Sequence, residues 1–162
     1  MPLTFVSTGG TIDKIYFDAK SDYKIGDPQI IDILRMARVD FDYRVCSILQ
    51  KDSLELTDAD RLLIRETIEA APGQHFIVTH GTDTMIETAK VLEGLGDRVI
   101  VLTGSLTPAR FKQTDAEFNV GVAIGAVQAL PAGVYIAMNG RIWDPDTVRK
   151  NRDENRFESV AG

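Results

Sequence analysis

Three short stretches of this chain carry residues able to do chemistry, and each follows an apolar run of strand length. They are Ser7-Thr8-Gly9-Gly10-Thr11-Ile12, His80-Gly81-Thr82-Asp83-Thr84 and Thr103-Gly104-Ser105-Leu106-Thr107-Pro108. Together they offer hydroxyls, one carboxylate and backbone N–H groups exposed by glycine. In an open α/β sheet, ligands bind just outside the carboxyl ends of the strands, which is where these turns fall. A threonine hydroxyl is a poor nucleophile until something takes its proton. Histidine is not an evident partner: Ser105 fails the G-x-S-x-G elbow of Ser-His-Asp hydrolases, and His80 reads as a packed or backbone-bonded side chain. The remaining base is a lysine whose pKa is pulled down by burial or by another cation. The bland alternative is that Thr82 only caps a helix.

These turns need a frame. Phe76, Ile77 and Val78 read as a strand buried on both faces. Gly81 lets the chain turn, Thr82 suits a helix cap and Asp83 suits the positive end of that helix. Met85, Ile86, Ala89 and Leu92 then give the helix one apolar face. Strand and helix signals alternate along the chain, which predicts a mostly parallel sheet with flanking helices. Asp13 to Gly26 has no clean period and reads as a mobile surface loop. Asp27-Pro28 predicts a helix start, with Ile30, Ile31 and Leu34 on its buried face. A strand is expected over Tyr43–Leu49. Thr57 with Asp60 resembles a capping box before a helix running to about Ala70.

Arg98–Thr103 is a further buried strand. The helix from about Thr114 to Leu130 is apolar over most of its surface, so two covered sides are expected. Gly121 and Gly125 would allow close packing there, against the sheet or against a second copy of the chain. Val134–Met138 reads as the last clear strand, with Asn139-Gly140 turning a hairpin back through Arg141, Ile142 and Trp143. Arg149 to Glu158 is so charged that disorder is the default expectation.

Composition narrows the function. The chain has 162 residues, 44% of them hydrophobic, which fits one domain able to hold a core without disulfides. A formal charge of −6 and a pI near 4.9 argue against a nucleic-acid groove and favour a small polar substrate. The single Cys46 reads as a buried, inert thiol. No ligand spacing suggests a metal, and no cofactor is expected. No signal-like or membrane-spanning run is visible, so the chain reads as cytosolic.

Thr8-Gly9-Gly10-Thr11-Ile12 followed by His80-Gly81-Thr82-Asp83-Thr84 resembles the paired signatures of the bacterial L-asparaginase/glutaminase family. Thr-Gly-Ser-Leu-Thr-Pro at 103–108 adds to the match. The resemblance covers nearly the whole chain, as that family's amino-terminal catalytic domain. It implies a flavodoxin-like three-layer sandwich, with a mostly parallel sheet and helices on both faces. Residues 1–162 are then one such domain. It also implies roles: Thr11 as the acylated nucleophile, Tyr23 as the lid tyrosine that activates it, and Thr82 as the second active threonine. Asp83 would bind the substrate's α-amino group, Ser53 its α-carboxylate, and Lys150 would match the family's lysine. Gly10 and Ser105 fall at substrate-contact positions.

The implied reaction turns L-asparagine, and more weakly L-glutamine, into the acid and ammonia. The implied assembly is a homo-oligomer, a dimer or a tetramer, with no nucleic acid or membrane partner. The family normally adds a second, carboxyl-terminal domain that completes a neighbouring subunit's site, whereas this chain stops just past Lys150. The chain is then either a natural short form or a fragment, and with Met1 and the intact lysine segment present the natural short form is the expectation. Two alternatives stay open: a glutamine-using amidotransferase subunit, and a non-catalytic amino-acid-binding module.

Overall fold

The computed structural model describes residues 2–16 and 23–160. The chain runs β1 (Leu3–Gly9), β2 (Lys14–Tyr16), β3 (Tyr23–Ile25), α1 (Ile30–Ala37), β4 (Tyr43–Lys51), α2 (Asp58–Ala70), β5 (His75–Thr79) and α3 (Met85–Val91). It continues through β6 (Val99–Thr103), α4 (Ala116–Ala129), β7 (Gly133–Met138), β8 (Arg141–Trp143), β9 (Val148–Asn151) and β10 (Arg156–Ser159). Six strands form the main sheet in the order β4-β1-β5-β6-β7-β8. The first five are parallel, and β8 closes the edge antiparallel to β7. From β1 the chain goes to β4 on one side and returns to β5 on the other. The β1/β5 boundary is therefore the topological switch point, where crevices open at strand carboxyl ends.

Two apolar layers fix the sheet. Val6, Val78 and Leu102 pack on one face with Ile64 and Ile68 of α2 and with Met85 and Ala89 of α3. Phe5, Ile77 and Val101 pack on the other with Ile30 and Leu34 of α1 and with Val120, Ala123 and Val127 of α4. Phe5, Ile77 and Val78 are fully buried, and each such side chain contributes about 1.5–3 kcal/mol. This is the expected flavodoxin-like three-layer sandwich.

Several local expectations hold. The Thr57–Asp60 capping box is present in both directions, and α2 ends at Ala70. Asn139 and Gly140 both take positive φ, 54° and 73°, as a two-residue hairpin turn requires.

Others are corrected. The stretch after Thr11 is not all loop: β2 and β3 pair as a small antiparallel hairpin, while the expected mobility at 17–22 lies outside the described residues. Helix α1 starts at Ile30, not at Pro28, and buries Ile33 rather than Ile31. Cys46 is only half-buried. α4 is covered on one side only. Its outer strip carries Phe118, 62% exposed, and a Cβ added at Gly121 or Gly125 would meet nothing.

The largest correction is at the charged carboxyl-terminal segment. β9 and β10 pair with Phe157 opposite Lys150 and Glu158 opposite Arg149. Val148 and Phe157 join the core beside Trp143. The charges pair across the hairpin, Arg149 with Glu158 at 2.7 Å. Two buried apolar side chains and paired charges outweigh the composition that suggested disorder.

Candidate active site

The first turn leaves β1 through Gly9 and Gly10 and enters a 3-10 turn over Thr11–Asp13. The second leaves β5 through His80 and Gly81 and reaches α3 only at Met85. Seventy-one residues apart in sequence, the turns touch: a Cβ on Gly10, at φ 88°, would lie 2.5 Å from Gly81 Cα. Glycine is needed for both the dihedral and the approach. Thr8 Oγ1 donates to the Thr79 carbonyl at 2.8 Å and ties the two strand ends together.

Thr82 does not cap α3, because the helix begins three residues later. Its hydroxyl instead accepts from Lys150 Nζ at 2.7 Å. The same amine donates to Asp83 Oδ1 at 2.7 Å. Lys150 is one-tenth exposed along its side chain, and β9 holds it in place. Arg152, just past β9, sets its Nε 3.5 Å from the same Asp83 oxygen. This residue was not singled out from the sequence, since two positions beyond a lysine in a charged run carries no pattern.

Ser53 is brought to the same place but lies beneath the turn. It is 1% exposed; its Oγ accepts from Thr84 N–H at 3.3 Å, and its carbonyl accepts from Thr84 Oγ1 at 2.8 Å. Ser105 donates its hydroxyl proton within its own turn, to the Thr107 carbonyl at 2.5 Å. That third turn is held by Asp115, whose carboxylate accepts from the N–H groups of Leu106 and Thr107. Thr11 and Tyr23 share an adjacent cleft of about 320 Å³ with Lys14, Leu106, Pro108 and Phe111. Tyr23 is exposed, with its ring centroid 5.9 Å from that of Phe111. The site thus has two parts. Thr82, Asp83 and Lys150 are bonded to one another, while Thr11 and Tyr23 face the neighbouring cleft across the contact of the two turns. Among the described residues, no group of His, Cys, Asp and Glu side chains could hold a metal ion.

His80 is not a base for either threonine. It is fully buried, with Nδ1 2.6 Å from the Gly81 carbonyl and Nε2 2.7 Å from Thr88 Oγ1. Arg61 Nε donates to that same threonine hydroxyl at 3.2 Å. Burial holds the imidazole well below its usual 6.5, at about 4. A neutral ring donating from Nδ1 and accepting at Nε2 satisfies every contact, so His80 anchors the second turn.

Asp13 anchors the first. It is 1% exposed, and its carboxylate accepts from Gln29 N–H at 2.9 Å and from the Ser7 hydroxyl at 3.3 Å. Its own N–H donates to the Gly10 carbonyl, and its carbonyl accepts from Gly26 N–H. Burial, opposed by these bonds, pushes the carboxyl up from 3.8 to about 6.

The two anchors act oppositely on stability. Asp13 contributes fully below 3.8, and its contribution is lost as pH rises through about 6. His80 contributes fully above 6.5, and its contribution is lost as pH falls through about 4. Between these limits folding takes up one proton and sheds another, so the two slopes offset. Asp13→Asn keeps the acceptor for Gln29 and can donate to Ser7. The variant should be about 1–3 kcal/mol more stable at pH 7. It should then lose that advantage by about 1.4 kcal/mol per pH unit as pH falls from 6 to 4. Urea unfolding at four pH values reads this difference; parallel curves would refute an anomalous Asp13.

Fold and site together define a class of α/β protein that sets a threonine–lysine–aspartate group at the switch point of a flavodoxin-like sheet. The family model for the asparaginase amino-terminal domain matches residues 2–161, and the chain belongs to that family. It is similar to L-asparaginase 2 of Escherichia coli, 31% identical over 98% of this chain and 49% of the relative. It is also similar to a glutamyl-tRNA(Gln) amidotransferase chain of Methanococcus vannielii, 28% identical over 88% of this chain and 35% of the relative. The structure of the thermostable L-asparaginase from Thermococcus kodakarensis superposes with a TM-score of 0.88 at 26% identity, over 99% of this chain and 51% of that one. The chain spans about half the length, or less, of the relatives it matches.

Proposed function

We propose that this protein is an amidohydrolase that converts L-asparagine and water to L-aspartate and ammonia through a threonine nucleophile. L-Glutamine is the weaker substrate. The observation that carries the reading is one amine, Lys150 Nζ, 2.7 Å from both Thr82 Oγ1 and Asp83 Oδ1. This group abuts the turn that bears Thr11. Family membership supports it.

In this reading Thr11 Oγ attacks the side-chain amide carbon while the Tyr23 phenol in their shared cleft takes its proton and passes its own to solvent. The oxyanion is held by N–H groups of the abutting Gly10 and Thr82 turns. A proton passed from Lys150 through the Thr82 hydroxyl reaches the departing nitrogen, and ammonia leaves an ester on Thr11. Water then attacks that ester, giving its proton back through Thr82 to Lys150, while solvent, through the Tyr23 phenol, returns a proton to the Thr11 oxygen as aspartate leaves. Asp83 receives the substrate ammonium. The family resemblance assigns Ser53, Ser105 and Gly10 to further substrate contacts. A homo-oligomer fits the open outer strip of α4. A cytoplasmic location fits the resemblance to the structure of a probable cytoplasmic L-asparaginase from Campylobacter jejuni. Among the described residues, no helix is long and apolar enough to cross a membrane.

The test is ammonia release across L-asparagine, L-glutamine and simple amides. Absence of release with all of them overturns the reading. Tyr23→Phe should slow single-turnover chemistry at least about tenfold while changing substrate affinity little. Unchanged single-turnover rates would reduce the tyrosine to packing. The resemblance to a glutamyl-tRNA(Gln) amidotransferase chain favours a second reading, in which ammonia passes to an acceptor protein. Stimulation of glutamine hydrolysis by an acceptor substrate would support it.

A further inference from the structure

We propose that Arg152 is the carboxylate anchor of the amino-acid head group bound at this site, and that it waits on Asp83 until that head group arrives. The inference rests on the proposed amidohydrolase function and adds the residue that selects the substrate's α-carboxylate. Arg152 lies in the turn between β9 and β10, at the rim of the Thr82–Asp83–Lys150 cluster. Its side chain is 62% exposed, against 10% for Lys150 and 26% for Asp83. Its Nε stands 3.5 Å from Asp83 Oδ1, too far for a well-formed hydrogen bond. Among the described residues Nη1 and Nη2 have no partner. A planar fork with free donors is the side chain best matched to a carboxylate.

Charge counting gives the second argument. Asp83 faces two cations, Lys150 and Arg152, so the cluster carries one positive charge in excess. A zwitterionic amino acid can exchange with this pair without stranding a charge. Its ammonium takes the place of the guanidinium at Asp83, and the freed guanidinium closes on its carboxylate. One exposed ion pair is exchanged for two better ones. The pair given up is weak, because exposed pairs are screened and entropically costly. Ser53, the carboxylate contact implied by the family resemblance, is buried and already accepts from Thr84 N–H. It offers a neutral donor, to which the Arg152 guanidinium at the rim adds a charged one.

The competing view is a surface ion pair with no role. Arg152→Gln and Arg152→Lys separate the two. In the first variant, KM for L-asparagine and the calorimetric Kd for the product L-aspartate should both rise at least about tenfold, as loss of a charged hydrogen-bonded pair does. The kcat should stay within about threefold. Arg152→Lys should recover part of the affinity. The control substrate is 3-aminopropanamide, which keeps the ammonium and the amide but lacks the carboxylate; its kcat/KM should change less than about twofold. Equal L-aspartate affinity in wild type and Arg152→Gln, an equal loss with 3-aminopropanamide, or a loss confined to kcat each overturns the anchor while leaving the amidohydrolase reading intact. Failure of the wild-type protein to bind L-aspartate or cleave any amide overturns that reading and the anchor with it. Circular dichroism checks the fold of both variants.

Discussion

Lys150→Met should lower kcat for amide hydrolysis by at least about three orders of magnitude and leave the fold intact. Methionine keeps most of the length and apolar stem of lysine and removes the amine. That amine bridges the Thr82 hydroxyl and the Asp83 carboxylate, both at 2.7 Å. Among the described residues no other amine or imidazole reaches Thr82, since His80 is spent on Gly81 and Thr88. Without Lys150, Thr82 has nothing to take its proton from or give it to. The structural cost is limited. Backbone pairing of β9 with β10 does not involve the side chain, and Arg152 still faces Asp83. A loss of about 1–2 kcal/mol, roughly 2–8 °C in Tm, is expected. Steady-state ammonia release and a thermal melt read the two effects separately. A near-wild-type rate in a folded variant would remove the lysine from the mechanism.

The second large effect is paired. Thr11→Ala and Thr82→Ala should each lower kcat by about three to four orders of magnitude, for different reasons. Thr11 opens onto the cleft that also holds Tyr23, so its loss removes the proposed attacking oxygen. Thr82 is buried and bonded to Lys150, so its loss breaks the proton path and spares the nucleophile. Intact-mass spectra after incubation with L-asparagine should therefore show a slowly formed β-aspartyl adduct on Thr82→Ala, mapped to the peptide containing Thr11. Thr11→Ala should show none. An adduct on Thr82 in the Thr11→Ala protein would exchange the two roles. Neither hydroxyl supports a core contact whose loss would unfold the chain, so both variants should melt close to wild type.

The alternation of strand and helix signals, the hairpin at Asn139-Gly140 and the Thr57–Asp60 capping box were legible because each depends on neighbours within a few residues. Thr11, Thr82 and Asp83 were legible as candidates for a related reason: a turn after a buried strand announces itself in a short, local pattern. The hairpin carrying Lys150 was not. Its local composition favours disorder, and only docking of Val148 and Phe157 beside Trp143, which are remote in sequence from much of the core, holds it in place. The same applies to Asp13, whose buried carboxylate and carbonyl are met by the N–H groups of Gln29 and Gly26, and to Arg152, whose ion pair is with an aspartate 69 residues earlier in the numbering. Ser53 is a further case. Its place near the site came only from the family resemblance, and its depth under Gly81 and Thr84 was set by how the β4–α2 connection packs. Periodicity and turn chemistry are short-range and survive in one dimension. Burial, charge pairing and the contact between Gly10 and Gly81 arise when distant segments exclude water together, and those were decided by the tertiary structure.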